Sequence, residues 1–185
     1  MSVTYTTQND LLLKNLLEWY DKDDNLNKML NIINGESTIS LRIVDWFATN
    51  FAKKNFTVYY LEKENTTERF KVYNDYKLKL KAYSKKRFDP FCRWDRISIP
   101  YKNNKEIQTT IGQLNFFRWA IENNVIDYIE RNYDDIEVDM NTRNSTAKKQ
   151  EKMVDKRTRK RREELSLLAS KSIKKENVEI VIKFS

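Results

Sequence analysis

Histidine is absent from this chain. That removes Ser-His-Asp and Cys-His nucleophile systems, histidine general bases and zinc sites built on His and Cys. Cysteine occurs once, so no disulfide can form within the chain, and a reducing compartment fits best. Glycine and proline occur only twice each in 185 residues. So few turn-formers argue against a sandwich or barrel and for helices with some strand. Gly35 and Gly112 are too far apart to build a Walker-type or dinucleotide loop. No stretch approaches about eighteen consecutive apolar residues, so no membrane span is expected. The opening MSVTYTTQND lacks the basic-then-apolar pattern of a signal peptide. No cofactor and no metal ligand set is expected.

What is present is aromatic and charged. Four Trp, ten Tyr and nine Phe supply enough apolar surface for a real core, so a folded domain is expected rather than wholesale disorder. The net charge of +8 is unevenly spread. Arg143 to Lys175 holds thirteen Lys and Arg against four acids, a net of +9. Tyr73 to Lys105 holds ten against three, a net of +7, and the rest of the first 142 residues is correspondingly acidic. Even charge would be ordinary solvated surface; two basic blocks are a polyanion footprint.

The periodicity predicts helices over 9–20 and 24–34, the second ending at Gly35 in the left-handed position. A third is expected over 40–54, with Leu41, Val44, Phe47 and Phe51 on one stripe. FTVYYL and ERFKVY, separated by KENTT, read as a hairpin. DYKLKLKAYSKKR alternates like a strand, yet Tyr76, Leu80 and Tyr83 fit a helix stripe; a cap at Asn74 or Asp75 favours helix. WDRISIP is a candidate strand. Thr109 or Thr110 caps the most strongly patterned helix, IGQLNFFRWAIENN, and VIDYIERN follows as another. DDIEVDMNTRNST is polar and reads as a linker or short strand. Residues 146–172 are helix-compatible, and Val178–Phe184 alternates as a strand that pairs with the hairpin or with another chain. No internal repeat is present.

The expected architecture is α+β: a mainly helical single domain over 8–140 with a small antiparallel hairpin or sheet, then a basic helical or flexible C-terminal arm over 141–185 ending in a short strand.

Two constellations carry the charge. The first is KKRFDPFCRWDR, in which Lys85, Lys86, Arg87, Arg93 and Arg96 are candidate phosphate contacts. Phe88, Phe91 and Trp94 either stack on bases or anchor the segment in the core, leaving the cations as a rim. Three large aromatics within seven residues favour the core reading. Cys92 has no histidine partner to make it a nucleophile, so a buried free thiol is its default. The second constellation is Lys148, Lys149, Lys156, Arg157, Arg159, Lys160, Arg161 and Arg162. Six cations in the seven residues KRTRKRR form a nucleic-acid or targeting tract, or a solvated helix. Asp75-Tyr76-Lys77 has the local spacing of an acid-x-Lys nuclease, but a tripeptide this short occurs by chance in any Lys-rich chain.

The segments STISLRIVDWFATNFAKK, YNDYKLKLKAYSKKRFDPFCR and TTIGQLNFFRWAIENNVIDYI resemble a family of short basic proteins of large nucleocytoplasmic DNA viruses. The resemblance covers roughly residues 38–135. It implies a role in viral replication, transcription, genome packaging or virion assembly, and carries no catalytic residues with it. The expected function is therefore non-enzymatic binding of DNA or RNA with low sequence specificity. The competing expectation is a virion structural or assembly protein, contacting viral or self chains through the arm and Val178–Phe184. The expected location is intracellular, in the nucleus or a viral factory, with packaging in the virion as the other option.

Overall fold

The computed structural model describes residues 7–63, 66–101 and 105–153. Within them the α+β expectation holds: eight α-helices, a π-helical segment and two separate two-stranded antiparallel sheets.

Helix α1 (Gln8–Tyr20) begins on a reciprocal cap: the Asp10 amide donates to Thr7 Oγ1 and the Thr7 amide to Asp10 Oδ2. Thr7 is thus the N-cap, one residue before the helix and two before the range that periodicity predicts. Helix α2 (Asn25–Ile33) stops where Gly35 turns left-handed at φ 75°, as its position predicts, and the Glu36 amide reaches back to the Asn31 carbonyl. Helix α3 (Leu41–Trp46), capped by Ser40, passes into a π-helical segment at Phe47–Phe51 and then α4 (Ala52–Lys54). The π turn has a local cause. Thr49 Oγ1 donates to the Asp45 carbonyl at 2.7 Å, so a side chain competes for the acceptor of the normal helical bond.

Strands β1 (Val58–Lys63) and β2 (Thr66–Lys71) form the expected hairpin. Leu61 and Phe70 on its inner face are buried. Strand β3 (Ile97–Tyr101) pairs with β4 (Lys105–Thr109), which sequence patterning missed because Ile107 is its sole apolar residue.

Helix α5 (Val72–Phe88) settles the ambiguous KLKLK stretch as helix. It starts earlier than Asn74, and Asp75, in its first turn, accepts from Trp119 Nε1 at 2.7 Å instead of capping. Asp75 therefore sits on a helix, not on the strand that an acid-x-Lys nuclease site needs. Helix α6 (Ile111–Glu122), capped by Thr110, is the centre of the fold. Nine of its twelve residues are buried, on all sides, which marks a helix surrounded by partners. Tyr76, Phe88, Phe116 and Trp119 pack into one aromatic cluster, with centroids 5.7–6.3 Å apart.

Helix α7 (Val125–Arg131) is followed at once by α8 (Tyr133–Met153). The segment read as a polar linker is thus helical. Its apolar signal is sparse but correctly spaced: Ile136 and Met140, four residues apart, are both buried. Asp139, on the same helix, fixes it to α3 by accepting from Trp46 Nε1 at 3.0 Å and to α4 by accepting from Lys54 Nζ at 2.5 Å. None of the described helices is long and apolar enough to cross a membrane.

Candidate functional site

The basic segment at 85–96 begins on a break in α5. Ser84 adopts φ 68°, ψ 163°, a region that side chains other than glycine's seldom enter. The chain changes direction there and re-enters a helical turn that ends at Phe88.

Three contacts then fix the segment to α6. Phe88 is fully buried in the aromatic cluster and stacks on Tyr83 at 6.0 Å. Asn115 Nδ2 donates to the Arg87 carbonyl at 3.0 Å. Gly112 lets the backbones of α6 and the segment meet: a Cβ there would lie 2.9 Å from the Asp89 carbonyl oxygen and 3.1 Å from that of Lys86. Asp89 organises the following turn, accepting from the Phe91 amide on Oδ1 and from the Cys92 amide on its carbonyl.

The cations sit outside this frame. Lys85 and Lys86 are exposed, as are Arg93 and Arg96. Lys85 Nζ is 3.7 Å from Asp89 Oδ2. Arg87 is half-buried, its Nε donating to Asn9 Oδ1 at 2.7 Å. Lys86 lies over the ring of Trp94, 4.0 Å from its centroid. The three aromatics therefore divide. Phe88 is core, whereas Phe91 and Trp94 are half-buried, Trp94 beneath a cation of the rim. Cys92 is a free thiol but is also half-buried, because the turn leaves it beside the surface. The structure brings Lys85, Lys86, Arg87, Arg93 and Arg96 onto one turn and its flanks. Lys148 and Lys149 lie on α8. Lys156, Arg157, Arg159, Lys160, Arg161 and Arg162 lie outside the described residues, as does Val178–Phe184.

One acid at the site escaped the sequence reading. Burial pushes the Asp45 carboxyl up to about 7, and nearby Asp89 adds to the rise while Lys85 opposes it. The charge state of Asp45 on α3 is thus coupled to Asp89 and Lys85 at the base of the rim. A signal was there: Asp45 falls on the apolar stripe between Leu41 and Ala48, four residues after one and three before the other. A groove of about 450 Å³ between α2 and α7, lined by Lys28, Asn31, Glu36, Asp127 and Glu130, contains none of the rim residues.

A family of unknown function, DUF7197, matches residues 2–184. The chain belongs to this family. An uncharacterized protein of Acanthamoeba polyphaga mimivirus, a large DNA virus, is 48% identical over 129 residues, 67% of this chain. The chain spans about half the length of that relative, 49%. No solved structure matches significantly. The kinship with large-virus proteins that the sequence suggested is therefore real. Among the described residues, the rim segment and its α6 anchor combine fixed geometry with concentrated charge.

Proposed function

We propose that this member of DUF7197 is a non-enzymatic nucleic-acid-binding protein of low sequence specificity that serves a viral genome in replication, transcription or packaging. The observation that carries the reading is the anchored rim. Lys85, Lys86 and Arg87 ride on a helical turn whose backbone is held by Phe88, Asn115 and Gly112, and Arg93 and Arg96 follow it in the chain. Anchoring removes much of the conformational entropy that a floppy basic loop would lose on meeting a phosphate backbone. Lys77 and Lys81, both exposed on α5, extend the cationic surface away from the turn. The basic tract at 156–162 adds charge from the same chain, so its contribution is non-specific affinity. Phosphate contacts without base readout give weak discrimination and steep salt dependence.

The test is a titration of the full chain against labelled duplex and single-stranded oligonucleotides at several salt concentrations. The triple variant Lys85→Glu/Lys86→Glu/Arg93→Glu should lose affinity for both and show a shallower salt slope. Replacing the cations of 156–162 by glutamine should lower the slope further. Weak binding at low salt, or an unchanged slope in both variants, would refute the reading.

A further inference from the structure

The β1–β2 hairpin commits only one face to the core. Leu61 and Phe70 are buried there, and Tyr59 stacks on Tyr128 at 5.2 Å while its hydroxyl donates to the Asn123 carbonyl at 2.6 Å. Strand alternation sends Val58, Tyr60 and Glu62 to the opposite side. There Val58 pairs with Lys71, Tyr60 with Arg69 and Glu62 with Thr67. Tyr60 is 69% exposed. Phe56, at the entry to β1, is 86% exposed.

Phe56 is anomalous twice over. Its backbone is left-handed, φ 49°, a conformation that is costly for a bulky side chain. Its ring is also in water, so burial returns nothing for that strain. A strained residue that gains nothing inside the fold is a candidate for work outside it. Neither ring, Phe56 or Tyr60, packs on another aromatic among the described residues, and neither Arg69 nor Lys71 has a side-chain hydrogen bond or ion pair among them. The face thus offers the open ring of Tyr60 with two uncommitted cations and Glu62 as its one acid, and the exposed ring of Phe56 stands at the entry to the strand.

That combination matches a specific ligand chemistry. Duplex nucleic acid hides its base faces, whereas a single strand presents them together with its phosphates. Aromatic platforms beside cations are how sheet surfaces hold single strands. With Arg69 across from Tyr60 and Lys71 across from Val58, the charge of the face is complementary to a polyanion. We propose that the outward face of the β1–β2 hairpin docks single-stranded nucleic acid, with Phe56 and Tyr60 stacking on bases and Arg69 and Lys71 contacting phosphates. The inference rests on the polyanion reading above and adds to the rim a surface that selects single strands.

The experiment measures binding of the full chain to a labelled oligothymidylate and to a labelled duplex. The double variant Phe56→Asn/Tyr60→Thr keeps the fold, because asparagine suits the left-handed region and threonine suits a strand; thermal melts check this. Loss of stacking should weaken single-strand binding by about tenfold or more. Duplex binding and the salt slope should stay unchanged. Arg69→Gln/Lys71→Gln should instead flatten the single-strand slope by about 0.7 per cation. Equal losses on duplex and single strand, or no loss on either, would overturn the proposal while leaving the rim reading intact. A wild-type chain that binds neither ligand defeats both. Self-association, measured by sedimentation, that disappears in the Phe56→Asn/Tyr60→Thr variant would reassign the face to protein contact and overturn the proposal.

Discussion

The carbonyl oxygen of Asp89 occupies the space that a side chain at Gly112 would need, 2.9 Å from an ideal Cβ. Gly112 lies inside α6, where alanine is ordinarily the better residue by about 1 kcal/mol. The neighbours here are backbone atoms of the basic segment, and they cannot swing aside as a side chain would. Gly112→Ala should therefore destabilise the protein by about 1–3 kcal/mol, the usual cost of overpacking, in spite of the propensity gain. Urea unfolding measures it. A neutral or stabilised variant would mean that the segment moves away from α6 at little cost, and the rim would lose its claim to rigidity.

Asp45 makes stability depend on pH in a direction opposite to that of most carboxylates. Its folded pKa, about 7, lies above the ordinary 3.8, because burial and Asp89 both disfavour the charge. Folding therefore prefers the protonated form. The stabilisation is complete below about pH 4 and is lost as pH rises through about 7. Asp45→Asn keeps the shape and removes the charge. Melting curves from pH 4 to 8 should show variant and wild type nearly alike at the acid end. Near pH 8 the variant should be more stable by about 2–4 kcal/mol, at roughly 1.4 kcal/mol per unit of pKa. A constant difference across the range would contradict this account of the site.

How much of this was legible depends on how local the cause is. Helix α6 could be read because Thr110 caps it and its apolar residues recur in register. The end of α2 could be read because Gly35 alone supplies the needed φ there. The role of Phe88 as an anchor followed from aromatic density. What could not be read is pairwise and distant. The bond from Asn115 to the Arg87 carbonyl joins residues 28 apart, and the closeness of Gly112 to Asp89 has no periodic signature. Strand β4 depends on its partner more than on its own pattern. Exposure at Phe56 and Tyr60 was equally hidden: FTVYYL is apolar in composition, and only the pairing decides which side of the hairpin meets the core.

Asp139 gives a second, independent pH effect of the ordinary sign. Burial works to raise its pKa, but the bonds from Lys54 and Trp46, with Arg143 nearby, outweigh it and hold the carboxyl below its usual value. The stability it contributes is present above the usual carboxylate range and is lost as pH falls through the lowered value. Asp139→Ala removes the acceptor that joins α8 to α3 and leaves Trp46 Nε1 without its partner. The variant should be less stable by about 1–3 kcal/mol at neutral pH. Proteolysis should cut first within α8, since that helix loses its tie. If cleavage begins elsewhere with α8 intact, the packing of Ile136 and Met140 suffices without the polar tie.

Lys86 over Trp94 supplies a built-in reporter for the rim. The ammonium lies 4.0 Å from the ring centroid, at a half-buried site. A polyanion that takes up Lys86 must compete with that contact, which is worth about 0.5–1 kcal/mol at such a surface. Adding heparin or an oligonucleotide should therefore change tryptophan emission, and the change should reverse with salt as phosphate contacts are screened. The other three tryptophans lie on α1, α3 and α6; Trp119 packs against Phe88 but is buried, out of reach of a bound polyanion. Trp94→Phe should therefore abolish most of the signal while retaining affinity within about twofold, as expected of a side-chain reporter whose ring carries little of the binding. Lys86→Gln should do the reverse, uncoupling emission from binding and lowering the salt slope by about 0.9 on duplex. A Trp94→Phe protein that keeps the full emission change would place the bound polyanion elsewhere on the molecule.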